Sequence, residues 1–152
     1  MNVKPARAED LVDLIQMVTE YQDEYEAIDV TEESVTEKFL KDMIAEDKRG
    51  AMLIARTSSG HAVGFATIYL CPFTRNASLV ATMVDLFVRP DYRTQGFGRQ
   101  LFDYAVKWAK ARKYRKMVWS VENLNLTAQY MFDRVKGAAQ VGWIGYTLDL
   151  NE

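Results

Sequence analysis

Arg93, Gly96, Gly98 and Arg99 stand at a spacing that suits the binding of a diphosphate. They belong to Val84-Asp-Leu-Phe-Val-Arg-Pro-Asp-Tyr-Arg93-Thr-Gln-Gly96-Phe-Gly98-Arg99, where an apolar run passes through a turn into Arg-x-x-Gly-x-Gly and on into a helical pattern. The first N–H groups of a helix lack intrahelical partners and the helix dipole adds partial positive charge, so an anion there gains hydrogen bonds and electrostatics together. Gly96 and Gly98 remove Cβ atoms that would hold phosphate oxygens off the main chain. Arg93 and Arg99 bring forked donors, and Thr94, Gln95 and Phe97 complete the loop. Alone, a Gly-x-Gly reads better as a plain strand-to-helix turn with solvated arginines. Two other phosphate loops are excluded: no Gly-Lys-Ser/Thr is present, and Leu101 stands where a dinucleotide fingerprint needs its third glycine. Just upstream, Asp85 interrupts Met83-Val84 and Leu86-Phe87-Val88, and a charge there must point to water, a partner or a cavity.

The elements that would position these residues can be read from periodicity. Phe97, Leu101, Ala105, Trp108 and Ala109 share one helical face, with Arg99, Gln100, Asp103, Lys107 and Lys110 elsewhere. Val3 to Arg7 predicts a first strand, and Asp10 to Tyr25 a helix through Leu11, Leu14, Ile15, Val18 and Tyr21. Thr31 with Glu32 and Glu33 predicts the cap of a second helix carrying Val35, Phe39, Leu40, Met43 and Ile44, with Gly50 at its end. Ala51 to Arg56 and His61 to Leu70 predict a hairpin through Thr57-Ser-Ser-Gly60, stopped by Pro72. Ser78 to Val88 is the strand before the loop; Lys116 to Val121, Asn125 to Lys136 and Val141 to Leu150 predict a strand, a helix and a final extended segment. This order makes an α/β (mixed α+β) fold, a mixed sheet with helices on both faces, in one domain over residues 1–152.

Composition narrows the function classes. Of 152 residues, 49% are hydrophobic and 26% charged, which suits a globular protein and excludes a disordered chain. A net charge of −2 gives no electrostatic case for nucleic acid. The basic cluster Lys107, Lys110, Arg112, Lys113, Arg115 and Lys116 is explained by a helix C-terminus and solubility. No apolar run approaches a membrane span and the N-terminus has no signal core, so the expectation is a cytoplasmic protein with no membrane partner. The single Cys71 reads as a buried small apolar residue, and the single His61 as an exposed turn residue. No metal is expected.

Taken whole, Leu86-Phe-Val88-Arg-Pro90-Asp-Tyr92-Arg93-Thr-Gln-Gly96-Phe-Gly98 resembles the acetyl-coenzyme A motif of the GNAT N-acetyltransferase superfamily. Val3 to Leu11 resembles that family's first strand and helix, and Val121 to Phe132 its last helix. The resemblance implies a single N-acetyltransferase domain with a central, mostly antiparallel sheet of six to seven strands and about four helices. It implies acetyl-CoA as co-substrate, held by Arg93 to Arg99 at the diphosphate and by main-chain groups of Leu86, Phe87 and Val88 along the pantetheine arm. One of those N–H groups would polarise the thioester carbonyl. Asp85-Leu-Phe-Val-Arg-Pro-Asp-Tyr-Arg93 resembles diamine and polyamine acetyltransferases, which implies a polyamine-like or other small cationic primary amine as acceptor and direct transfer in a ternary complex. Relatives are often homodimers.

An alkylammonium with a pKa of about 10.4 must lose a proton before it attacks, and Asp85 is the nearest carboxylate for that work; a solvent-facing or ion-paired Asp85 is an equal alternative. Asp23, Glu24, Glu26, Asp29, Glu32 and Glu33 fall where the family forms its acceptor cleft, although charge runs are more often solvated faces. Asn125 would contact the pantetheine and serves equally as a helix N-cap. The residue seven positions after that Asn is commonly a tyrosine that protonates the leaving thiolate; here it is Phe132, left to touch the cofactor. Tyr130 lies about 200° around the helix from it. Tyr130 or water would then supply the proton. Phe132 also motivates an alternative from another class, a catalytically reduced CoA-binding sensor or partner module.

Overall fold

The computed structural model of the protein describes residues 2–25, 31–45 and 49–150. They divide into two compact units, Met1–Ser120 and Val121–Glu152. The first holds β1 (Asn2–Pro5), α1 (Leu11–Glu24), α2 (Glu33–Ala45), β2 (Gly50–Arg56), β3 (Ala62–Phe73), β4 (Ser78–Val88), α3 (Phe97–Ala111) and β5 (Met117–Trp119). The strands lie in sequence order, β1-β2-β3-β4-β5, antiparallel except for the parallel β4–β5 pair. The mixed, mostly antiparallel sheet is as predicted, and its described strands number five rather than six to seven.

β2 is an unbroken apolar run because both of its faces are covered. Ala51, Leu53 and Ala55 join Leu101, Ala105 and Trp108 of α3, while Met52 and Ile54 join Leu14 and Met17 of α1 and Leu40 and Met43 of α2. The face predicted for α3 is the one buried, with Phe102 added to it. Leu53 and Leu101 are inaccessible to solvent, and truncating either to Ala would cost about 2–5 kcal/mol.

The β3–β4 pair contains the feature that sets the direction of Asp85. Ile68 pairs with Met83 but Thr67 pairs with Asp85, so Val84 is an extra residue in β4. Before it, Ala81 faces α3; after it, Leu86 and Val88 face α3 and Phe87 faces α1. Strict alternation would have put residue 85 on the α3 side with residue 81. The bulge reverses the phase and turns Asp85 toward α1 and α2.

Two expectations for β3 are corrected. Pro72 does not stop the strand, which runs to Phe73. The last described β2 pairing is Gly50 with Tyr69, so beyond it β3 has β4 on one side only, and an edge position needs no N–H from Pro72. Cys71 is exposed, not buried, because it lies past the part of the sheet that α1 and α2 cover. His61 is exposed beside Ser59 in the hairpin turn, as predicted. α2 begins at Glu33, with the Glu32 carbonyl accepting from Val35 and Thr36, two residues after the predicted Thr31 cap.

At the entry to α1, Asp10 is 2% exposed and saturated with donors. Arg56 donates to Oδ1 at 2.7 Å, and Lys4 (3.0 Å) and the Arg7 N–H (3.0 Å) to Oδ2. Arg56 also pairs with Asp13 at 2.6 Å. Burial by itself would push the Asp10 carboxyl up; the bonds from Arg56, Arg7 and Lys4 outweigh it and hold the group below its ordinary value.

The second unit carries α4 (Leu126–Asp133), and then Val141 to Leu150 without strand structure. The predicted final strand is therefore not formed. Gly142 and Gly145 interrupt its apolar residues and weaken strand propensity, and Tyr146 is 93% exposed. No helix among the described residues is long and apolar enough to cross a membrane.

Candidate active site

Asp85, brought round by the bulge, lines a cavity of about 350 Å³ between the sheet and helices α1 and α2. The Tyr21 hydroxyl donates to Asp85 Oδ1 at 3.0 Å. Thr67, its cross-strand neighbour, is buried and lines the same space. Tyr69 is near enough to feel the carboxylate: burial first, then the charge of Asp85, push its phenol above the ordinary value against a smaller downward pull from Arg49. No cation among the described residues forms an ion pair with Asp85.

Tyr21 belongs to a cluster of aromatic rings. Tyr21 meets Phe65 and Phe87 edge-on at 5.7 Å each, and Phe65 and Phe87 are 5.6 Å apart. Phe65 and Tyr21 both line the cavity. The rest of the wall mixes apolar side chains, Met52 and Leu40 buried and Val35 and Phe39 half-exposed, with the neutral polar Gln22, Thr31 and Thr36.

The Arg93 to Arg99 loop lies at the end of the same strand. Thr94 (φ 61°) and Gly96 (φ 89°) both take left-handed conformations. The Gln100 N–H to the Gly96 carbonyl, 3.0 Å, is an early α3 bond, so the N–H groups of Phe97, Gly98 and Arg99 precede it at the helix end. A Cβ at Gly96 would enter open space and one at Gly98 would meet only Val88 Cγ2, at 3.8 Å, so the chain itself does not crowd either position.

The arginine side chains act on the protein itself. Arg93 Nε donates to the Val88 carbonyl at 2.8 Å, and its guanidinium pairs with Glu24. Arg99 pairs with Asp103. Thr94 Oγ1 donates to the Arg93 carbonyl and Gln95 to that of Asp91. Arg89, which sequence reasoning passed over, grips Glu20 with two bonds of 2.7 and 2.8 Å and the Ala62 carbonyl at 2.8 Å. Glu20 and Glu24, one turn apart on α1, thus latch that helix to both sides of Pro90.

β4 also has an available edge. Its pairing with β5 ends at Met83 opposite Trp119, leaving the side of Leu86, Phe87 and Val88 away from β3 without a described strand partner. A methyl at Gly64 would lie 2.5 Å from the Phe87 carbonyl, so glycine there permits the close approach of β3 to this end of β4.

In the second unit, Asn125 Oδ1 accepts from the Ala128 N–H at 3.1 Å, so the residue caps α4. Phe132 is 8% exposed whereas Tyr130 is 63% exposed, with Arg134 over its ring at 3.2 Å. Of the acidic set, Asp23, Glu32 and Glu33 are exposed, Glu24 holds Arg93, and Glu26 and Asp29 lie outside the described residues. Sequence reasoning missed Tyr21, Phe65, Thr67 and Tyr69 as neighbours of Asp85. A hydroxyl within the apolar stripe of α1 was the one local signal, at Tyr21.

A model of the Acetyltransferase (GNAT) family matches residues 14–138. The chain is 25% identical over 151 residues to the uncharacterised N-acetyltransferase YhfO of Bacillus subtilis, covering 99% of this chain and 98% of that one. It is 27% identical over 135 residues to an uncharacterised N-acetyltransferase of Archaeoglobus fulgidus, covering 87% and 89%. The crystal structure of a probable acetyltransferase shares the fold with a TM-score of 0.85 at 20% identity, covering 100% of this chain and 99% of that one.

Proposed function

Since the chain belongs to the GNAT acetyltransferase family, whose members take their acetyl group from acetyl-CoA, we propose that it moves that group directly to a small cationic primary amine within a ternary complex. The observation that carries this reading is Asp85, turned by the Val84 bulge into a cavity at the foot of the open edge of β4.

The residues present fit acetyl-CoA. The N–H groups at the start of α3 would hold the diphosphate, and the open edge at Leu86, Phe87 and Val88 would take the pantetheine amides as an added strand takes a ladder. Bound there, acetyl-CoA supplies a thioester acyl group and leaves as a thiol. Asp85 would bind the ammonium and accept the proton that must leave before nitrogen can attack. Tyr21 holds the carboxylate in place and, as a neutral donor, leaves its charge intact. Tyr69, kept protonated, is a second neutral group beside it. On α4 we propose Tyr130 as proton donor to the departing sulfur, with Asn125 and Phe132 on the cofactor. The family match crosses residue 120, which supports the two units working as one acetyltransferase domain.

The test is thiol release from acetyl-CoA in the presence of a broad panel of primary amines. Amine-dependent release is expected. Tight binding of acetyl-CoA with no release for any amine would replace this reading with the CoA-binding sensor.

A further inference from the structure

We propose that the acceptor is a monoamine with an apolar, aryl or branched-alkyl body, and that polyamines are poor substrates. The inference rests on the acceptor role just given to the Asp85 cavity. It comes from the distribution of charge and apolar surface along the wall.

The lining includes one carboxylate, with hydroxyl neighbours and no described ion pair, together with the rings of Tyr21 and Phe65. A carboxylate in a cavity that also has aromatic lining is suited to an ammonium, which gains Coulombic and hydrogen-bond attraction from the first and cation–π attraction from a ring face within reach. The same cavity is lined by Leu40 and Met52, both buried, and by Val35 and Phe39, both half-exposed. Among the described lining residues Asp85 is the sole charge; the remaining polar ones, Gln22, Thr31, Thr36 and Thr67, are neutral.

A polyamine bound with one nitrogen at Asp85 would set its next ammonium against a lining whose other described residues are neutral. Desolvating that charge without a partner is strongly unfavourable. An aryl or branched-alkyl group in the same place exchanges water for apolar contact at about 25 cal/mol per Å². The volume, about 350 Å³, lies at the small end for ligand sites and suits one ring or a short branched chain.

Two measurements keep this inference separate from the reading beneath it. Calorimetric binding to the acetyl-CoA analogue complex would compare 2-phenylethylamine and isoamylamine with putrescine and spermidine, whether or not acetyl transfer occurs. Thiol release would compare kcat/KM for the same four. The apolar monoamines should bind at least about 10-fold more tightly and, if turned over, show at least that advantage in kcat/KM. Equal or tighter binding of spermidine, or binding of none of the four, would overturn the proposed class. Binding of the monoamines without turnover would uphold the ligand class of the cavity and count against acetyl transfer to it. Val35→Asp, on a half-exposed rim position that tolerates polarity, adds a second carboxylate and should move the preference toward putrescine by several-fold; an unchanged ratio would place the acceptor elsewhere.

Discussion

At Asp10 the carboxylate receives Arg56, Lys4 and a backbone N–H, and Asp13 shares the same arginine. At Asp85 the bonded partner is a phenol, and the nearby groups are another phenol and a threonine. Both residues are drawn out of bulk water in one unit of the protein. In the first region charge is balanced within the chain, and the group joins β1, β2 and the start of α1. In the second a negative charge is held by one neutral donor, Tyr21, so an incoming cation is the partner that would balance it. The main chain follows the same division: the Asp10 corner uses ordinary backbone angles, whereas β4 carries a bulge and then a loop with two left-handed residues. Such irregularity gathers where a strand must re-aim a side chain or present its backbone to a ligand.

The largest effect that could break this contrast is at Asp85. Asp85→Asn keeps the shape and the acceptor for Tyr21 but removes the charge and the base. The expected result is a fall of about 100- to 10,000-fold in kcat/KM, a flattened rise of rate with pH, and a melting temperature unchanged within a few degrees. Loss of several kcal/mol of stability without the kinetic change would make Asp85 a structural carboxylate like Asp10.

Asp10→Ala should do the reverse. It removes the buried carboxylate that Arg56 and Lys4 share and should cost about 2–4 kcal/mol in denaturant unfolding, somewhat less than for a wholly buried pair because Arg56 keeps Asp13 and Lys4 keeps Glu9. Activity per folded molecule should be unaltered. The sign with pH follows from the depressed carboxyl: its stabilisation is complete above the unfolded value, about pH 4, and is lost as pH falls through the lower folded value. Wild type should therefore show a fall in stability below about pH 4 that Asp10→Asn shows less of.

Local chemistry explains what could be read from the sequence. Ser78 to Val88 and the face of α3 are set by alternation and by the 3.6 period, and the turn into α3 by Arg93, Gly96, Gly98 and Arg99; each is visible within a dozen residues. The face on which Asp85 stands is not, because the bulge exists only in the register with β3, and alternation within β4 points the other way. Tyr21 was legible as a core residue of α1, and its hydroxyl acquires meaning only across 64 residues of sequence, at Asp85. The strand expected at Val141 to Leu150 failed for a related reason: apolar residues make a strand only when another edge takes their hydrogen bonds, and two glycines lower what remains of the local preference.

The smallest effect concerns Thr94, where the contrast in backbone regularity can be measured. A β-branched residue at φ 61° is strained, and the bond from its Oγ1 to the Arg93 carbonyl, 2.7 Å, offsets only part of that cost. Glycine relieves the strain and at the same time raises the entropy of the unfolded chain, so the two terms oppose and Thr94→Gly should stabilise by only about 0.5–1 kcal/mol. Chemical unfolding of the two proteins side by side reads this difference. The same freedom must be given up when the loop orders around a diphosphate, so the variant should bind coenzyme A no more tightly than wild type, and a few-fold more weakly if the threonine pre-sets the turn. A stabilised variant with weaker binding would mean that the loop is held ready for its ligand at the expense of fold stability. A destabilised one would put Thr94 in the same class as Asp10, a residue whose local bonds serve the fold.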